Sequence, residues 1–356
     1  MEKIEINGYK SIRHLSLDLN PINLLIGANG SGKSNFLSFF EFLRNVYMQN
    51  LQRFVALHGG VDKYLYEGRK VTSELSCHLN FGANGYSFSL EASENGFIFG
   101  KEGLWYDKNP FMKNPQNISR FGNESELRFC TLPRASFIID YLDSLEKYHF
   151  HDTGEDSPFT RMSNVQTDTY HLYSKGENLA AFLFGIKKKS PVRYKLIVKT
   201  IQSIAPYFGD FFIVPDENGN VKLQWQGKHS SMIYGVNDFS DGTKRFVALA
   251  VLFLQPQLPQ TIVIDEPELG LHPAAIAKLA SMVRAASKRG CQIIMATQSA
   301  DLINLFEPRD IITVDQINGE SVFERLDRID LKNWVNDYSL DELWRRSIIT
   351  KGQPNN

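Results

Sequence analysis

Apolar and polar residues alternate in two short runs near the start of the chain, around Ile4-Glu5-Ile6 and Leu15-Ser16-Leu17-Asp18-Leu19. A period of two sends successive side chains to opposite faces, so these runs predict a pair of strands. Ile22 to Ile26 is a short apolar run between Pro21 and Gly27, which suits a buried strand. From Asn35 to about Asn50, large apolar residues lie nearly all round a helical repeat, and the spacing predicts a buried helix. Residues 72–106 predict a three-stranded meander, turning at Ala83-Asn84-Gly85 and at Glu94-Asn95-Gly96. Between 107 and 209 Asn, Ser and Pro come first and helical stretches later. Phe211 to Trp225 predicts another hairpin, turning at Asn218-Gly219. Beyond Asp238, helical and strand patterns alternate. The clearest strands there are Thr261–Ile264 and Gln292–Met295, each followed by a helix, which is the texture of a parallel sheet in an α/β fold.

Composition narrows the class. A chain of 356 residues is too long for one minimal core and predicts a large domain with an insertion, or two domains. Hydrophobic residues make up 42% and charged residues 22%, ordinary globular usage. The formal net charge is −1, so no global basic field draws in nucleic acid, and DNA binding would need a local patch. Cys77, Cys130 and Cys291 are far apart and lack metal-ligand or redox spacing, which fits free thiols. The start of the chain lacks a signal-like apolar stretch, and the longest apolar run, Phe246–Leu254, is too short for a bilayer. These features predict a soluble, cytoplasmic protein with no membrane partner.

Gly27-Ala28-Asn29-Gly30-Ser31-Gly32-Lys33-Ser34 fits GxxxxGKS between a predicted strand and helix. Glycines let the backbone wrap closely round phosphate, and the helix that follows aims its positive N-terminus at the anion. Asn29 to Asn35 are therefore candidates for holding ATP, with Lys33 on the β- and γ-phosphates and Ser34 on Mg²⁺. Thr261 to Ile264 is an apolar strand that ends in Asp265-Glu266. Acids at that end face the ligand crevice of an α/β sheet. Asp265 is expected to share Mg²⁺ with Ser34, and Glu266 to activate the attacking water. Ser240 reads as the N-cap of a strongly apolar helix, so Ser240, Asp241 and Gly242 mark a second anion site.

The order of phosphate loop, long insertion, Ser240-Asp241-Gly242, acidic strand and terminal strand resembles the RecF/SMC-like branch of the ABC ATPases. More closely, the chain resembles a bacterial family of stand-alone ATPases often linked to phage defence. Lys10-Ser11-Ile12, Tyr148-His149-Phe150-His151-Asp152-Thr153, Phe239 to Thr243, Ile264 to Pro273 and Trp334 to Leu340 carry this likeness, which runs nearly end to end. The resemblance implies an ABC-type head from residues 1–106 and 208–356, with an inserted, largely helical lobe at 107–207. It also implies a homodimer with ATP between the subunits. In that arrangement the Ser240–Gly242 signature of one protomer completes the site of the other.

Two departures bear on mechanism. Asp241 stands where transporter-type relatives carry glycine. A carboxylate there needs a cation such as Lys244 or Arg245 beside it, or must point away. Gln298, after Gln292-Ile293-Ile294-Met295, stands where ABC proteins usually have a histidine. Its amide can hydrogen-bond a γ-phosphate but cannot take up a proton or a positive charge, which predicts slow hydrolysis or hydrolysis completed by a partner; the alternative is that Gln298 caps the next helix. His272 either contacts the partner's nucleotide or is a buried structural histidine. His149, His151 and Asp152 suggest a metal site, packing or a place at the nucleotide's edge, and on a strand Asp152 would face away from the two histidines. Lys187, Lys188, Lys189, Arg193, Lys195 and Lys199 form the basic cluster, either a DNA contact or a solvated face. Asp337 to Arg346 reads as a partner-docking helix or one closing its own core.

The expected function is an ATPase that dimerises around ATP and regulates a separate effector, a nuclease, in a defence-type system; no nuclease motif is evident in the chain. The alternative is an ATP-driven DNA clamp for repair or chromosome maintenance. A transporter subunit fits Gln298 and the insertion poorly.

Overall fold

The structure is a computed structural model and describes residues 1–94, 96–106, 116–120 and 122–328, and Glu342. Along the chain, β1 (Lys3–Tyr9), β2 (Ile12–Asp18) and β3 (Ile22–Ile26) precede α1 (Lys33–Tyr47) and α2 (Leu51–Leu57). The meander follows as β4 (Glu74–Phe81), β5 (Asn84–Ala92) and β6 (Phe97–Tyr106), with β7 (Gln116–Asn117) beside it. Next come α3 (Pro133–Asp143), β8 (Leu145–Tyr148), β9 (Ser163–Asn164), α4 (Leu179–Lys189) and α5 (Pro191–Gln202). Then β10 (Phe208–Phe211), β11 (Asn220–Val221), β12 (Gln224–Gly227) and β13 (Ile233–Gly235) lead to α6 (Asp241–Leu254). Finally β14 (Thr261–Asp265), α7 (Pro273–Lys288), β15 (Gln292–Ala296), α8 (Ala300–Ile303), β16 (Ile311–Ile317) and β17 (Glu320–Arg325) complete the described fold.

One sheet is antiparallel, in the order β2-β1-β4-β5-β6-β7. The other runs β17-β16-β3-β15-β14-β8, and all its strands but β17 are parallel. Strand alternation divides the interior in two. Ile262 and Ile264 of β14, with Ile293 and Met295 of β15, enter a core shared with α4, α5, α6 and α7. Val263, Ile294 and Ala296 point the other way, into a core shared with α1, α3 and the antiparallel sheet. Covered on both faces, these strands read as continuous apolar runs. Helix α1 is wedged between the sheets, touching β8, β14 and β15. On its other side Phe39 meets Tyr9 of β1 edge-on at 5.0 Å. Its near all-round apolar character follows from that position. Truncating fully buried Phe39 to Ala would cost about 3–5 kcal/mol.

Several expectations shift. The first meander turn is Gly82-Ala83, with Gly82 at φ 74°, while Asn84 and Gly85 already belong to β5. Gly85 is glycine for another reason, because a Cβ there would lie 1.9 Å from the Trp105 ring. The second turn contains Asn95, outside the described residues. The later hairpin pairs Phe211 with Trp225 and turns through Gly219 at φ 82°, but β11 pairs with β9 rather than within the hairpin. Residues 145–148, expected within the inserted stretch, form β8 at the edge of the parallel sheet, in register with Thr261–Ile264. That stretch therefore supplies a strand to the sheet carrying the phosphate loop. Most of the proposed docking helix at 337–346 lies outside the described residues.

Candidate functional site

The phosphate loop joins β3 to α1. Two of its glycines are set by close approach: a Cβ at Gly27 would lie 2.1 Å from the Val314 carbonyl oxygen, and one at Gly32 would lie 1.9 Å from Ser321 Oγ. Gly32 also sits at φ 110°, a conformation that favours glycine. Lys33 folds back under the loop, where its amine donates to the carbonyls of Gly27 at 2.7 Å and Ala28 at 2.8 Å. Burial lowers its pKa, and the Asp265 and Glu266 carboxylates partly offset this. Ser31 is buried beneath the loop, and its hydroxyl has no hydrogen-bond partner among the described residues.

The parallel sheet brings the acids to the loop, since β3, β15 and β14 are neighbours and end on the same side. Ser34 Oγ donates to Asp265 Oδ2 at 3.0 Å across 231 residues of sequence. A hydroxyl and a carboxylate so placed are oxygen donors of the kind a hard divalent cation takes, so the pair fits Mg²⁺. Glu266 leaves the strand with φ 38°, and its amide donates to the Ala296 carbonyl at 2.9 Å, which pins the turn to β15. The Gln298 side-chain amide donates to Glu266 Oε1. Gln298 does not cap the next helix; Ser299 does, accepting from the Leu302 amide. Asn29, Gly30, Gly32, Lys33, Ser34, Asn35, Glu266 and Gln298 line a single pocket of about 240 Å³. Asn35 also donates away from the pocket, to Ser11 Oγ at 2.7 Å.

Sequence reasoning missed Glu268. Its side chain is buried, accepts from the Thr297 hydroxyl and lies 3.4 Å from the Gln298 amide nitrogen. Burial raises its pKa against those bonds, and its second oxygen has no hydrogen-bond partner among the described residues. A glutamate two positions past a catalytic candidate reads as solvated, and nothing in the local sequence announces a buried one.

Ser240, Asp241 and Gly242 are not among the residues lining the phosphate pocket. Ser240 caps α6, accepting from the Thr243 amide at 3.3 Å. A Cβ on Gly242 would lie 2.4 Å from the Gly270 carbonyl oxygen, so the start of α6 packs on the turn that follows the acids. Asp241 is exposed, with the Lys244 amine 3.4 Å away. Buried Lys244 also donates to the Thr153 carbonyl at 2.7 Å, and Arg245 to the carbonyls of Phe150 and His151. These two cations therefore anchor the strand exit after β8 to α6.

His149 and His151 lie on one side of that exit, with ring centroids 4.5 Å apart. Burial and the neighbouring His151, Lys147 and Lys175 hold the pKa of His149 down, against the pull of Asp265. Among the described residues, no group of three or more His, Cys, Asp or Glu side chains is placed to hold a metal. His272 is exposed rather than buried and caps α7, with Nδ1 accepting from the Ala274 amide. In the basic cluster, Lys187 pairs with Asp210 at 3.5 Å, and the amines of Lys188 and Lys189 sit over the rings of Phe184 and Tyr170. Among the described residues, no helix is long and apolar enough to cross a membrane.

The chain is 21% identical over 354 residues to the Old nuclease of Escherichia phage P2, covering 88% of this chain and 59% of that protein. It is 20% identical over 335 residues to the OLD nuclease of Thermus scotoductus, covering 89% of this chain and 62% of that protein. The chain thus spans about three fifths of the length of the curated relatives it matches. Among solved structures, an SMC head bound to the C-terminal winged-helix domain of ScpA superposes with a TM-score of 0.61 at 15% identity, covering 92% of this chain and 98% of that one. That likeness is one of fold. A family model matches residues 22–304, and the chain therefore belongs to the family described as "AAA domain, putative AbiEii toxin, Type IV TA system", as an ATPase of the AAA/ABC type with an SMC-head-like fold.

Proposed function

We propose that this chain binds and hydrolyses ATP in a nucleotide-sandwiched homodimer, and that the ATP cycle regulates a separate effector, a nuclease, in a bacterial defence system. The observation that carries the chemistry is the bond from Ser34 to Asp265, together with the Glu266–Gln298 bond in the pocket that Lys33 and Ser34 also line. Lys33 swings from its loop carbonyls to the β- and γ-phosphates, and the loop amides take the remaining phosphate oxygens. Ser34 and Asp265 would hold Mg²⁺, which supplies charge neutralisation of the phosphates. Glu266 takes the proton of the attacking water, and Gln298 orients Glu266 and donates to the γ-phosphate oxygens. A 240 Å³ pocket is small for a whole nucleotide, so the nucleoside runs toward the adjoining cleft lined by Lys10, Ser11, Asn35, His58 and Tyr64.

The second anion site supports the dimer reading. Ser240 and Gly242 stand outside their own protomer's pocket, at the N-terminus of α6, where they are available to a partner's γ-phosphate. Support for the effector and the defence setting comes from the relatives: two are named OLD nucleases, one of them from a phage, and the family description names a toxin system. In solution, Glu266→Gln with ATP and Mg²⁺ should run at twice the monomer mass, and Lys33→Ala should not. A Glu266→Gln protein that stays monomeric in saturating ATP would remove the dimer from the scheme.

The exposed Lys188, Lys189, Lys195 and Lys199 favour a second reading, a DNA clamp. Duplex binding that weakens steeply with salt and is lost on reversing Lys187, Lys188 and Lys189 would move that reading ahead.

A further inference from the structure

Beneath the phosphate loop, Ser321 of β17 makes two contacts with the β1–β2 turn. Its amide donates to the Ser11 carbonyl at 2.7 Å, and its hydroxyl lies 2.7 Å from Ser11 Oγ. The same hydroxyl lies 2.7 Å from the Ser31 carbonyl oxygen, within the loop itself. Ser321 is 1% exposed, so water does not compete there. A hydroxyl has one proton, and a carbonyl only accepts. Ser321 therefore donates to Ser31, and Ser11 supplies the proton of the Ser11–Ser321 bond. Asn35 donates to Ser11 in turn, at 2.7 Å. Every member of the chain Asn35–Ser11–Ser321–Ser31 thus has a defined direction, set by the terminal carbonyl.

That direction bears on the anion site. In a trans peptide the carbonyl of Ser31 and the N–H of Gly32 lie in one plane and point in opposite directions. Holding the Ser31 carbonyl down toward Ser321 turns the Gly32 N–H up, and Gly32 lines the phosphate pocket. The fit is close, with the place of a Gly32 Cβ only 1.9 Å from Ser321 Oγ. We infer that Ser321 is a positioning residue for the phosphate loop, fixing the Ser31–Gly32 peptide so that its N–H faces the phosphates of ATP. Ser321 lies beyond residues 22–304, so a strand outside the family-matched segment completes the nucleotide site.

The inference rests on the reading of Gly27–Ser34 as an ATP-binding loop, and the experiment separates the two. Binding of ATP·Mg²⁺ and the KM and kcat of hydrolysis would be measured for the wild type, Ser321→Ala, Ser321→Cys, Ser321→Thr and Lys33→Ala, with melting temperatures alongside. Ser321→Ala and Ser321→Cys should weaken ATP binding and raise KM by about tenfold, the scale of one hydrogen bond to a charged group, with kcat within about twofold. Ser321→Thr, which keeps the donor, should restore affinity. Cysteine fills the site with a larger atom and a weaker donor, and threonine keeps the hydroxyl, so the test stands even if the alanine variant melts early. Wild-type affinity in a folded Ser321→Cys protein overturns the inference. If Lys33→Ala binds ATP as well as the wild type does, the loop reading itself fails.

Discussion

Glu268 stands in the protein where a carboxylate is least at ease. It is buried, one oxygen faces two donors, and burial lifts its pKa above the ordinary 4.5. A carboxyl raised on folding binds more protons in the native state than in the unfolded one. Its stabilising contribution is therefore present below the unfolded pKa and is lost as pH rises through the folded value. Glu268→Gln removes that titration, so the loss of stability between pH 4.5 and neutrality should be shallower than in the wild type. Urea midpoints across that range test this, and parallel slopes would contradict it. Gln298 poses a different question, since its amide reaches Glu266 directly. Gln298→Ala should cut turnover by about ten- to a hundredfold with little change in ATP affinity, the scale of one positioned donor; unchanged turnover would leave Gln298 without a role in the chemistry. Single residues were unevenly legible. Lys33, Ser34, Asp265 and Glu266 announce themselves because phosphate and Mg²⁺ chemistry demands their types at fixed spacing. Glu268 and Ser321 are common residue types whose meaning comes only from what folding places beside them.

At the scale of elements, legibility followed burial. β3, β14 and β15 are covered on both faces and appear as unbroken apolar runs bounded by turn residues. β8 is an edge strand whose two central residues, Glu146 and Lys147, are charged, so its sequence carries no clear strand period. The first meander turn was displaced for a steric reason. Two glycines, Gly82 and Gly85, lie close together, one serving the turn and the other the Trp105 ring that crosses β5. Gly85→Ala should therefore destabilise the protein by about 1–3 kcal/mol through overpacking, while ATP affinity stays within twofold, because the residue sits in the antiparallel sheet away from the nucleotide crevice. A melting temperature equal to that of the wild type would show that Trp105 has room to move aside.

At the scale of the whole molecule, the site is a product of topology. The parallel order β3-β15-β14 gathers the loop, Gln298 and the two acids, drawn from positions 27 to 298, at one end of a sheet. The sequence announced the parts and the family pattern announced their order. Neither announced that β8 and β17, from the middle and the far side of the chain, close the same sheet. β3, β14 and β15, which carry the loop, the acids and the approach to Gln298, send side chains into both cores. The central claim is that Glu266 activates water over nucleotide held by Lys33, Ser34 and Asp265. ATP turnover by the purified protein beside Glu266→Gln, with ATP binding measured on both, tests it most directly. The account predicts that the mutant keeps ATP affinity and loses turnover by about a hundredfold or more, as for loss of a general base. Glu266→Gln turning over ATP at the wild-type rate would contradict it.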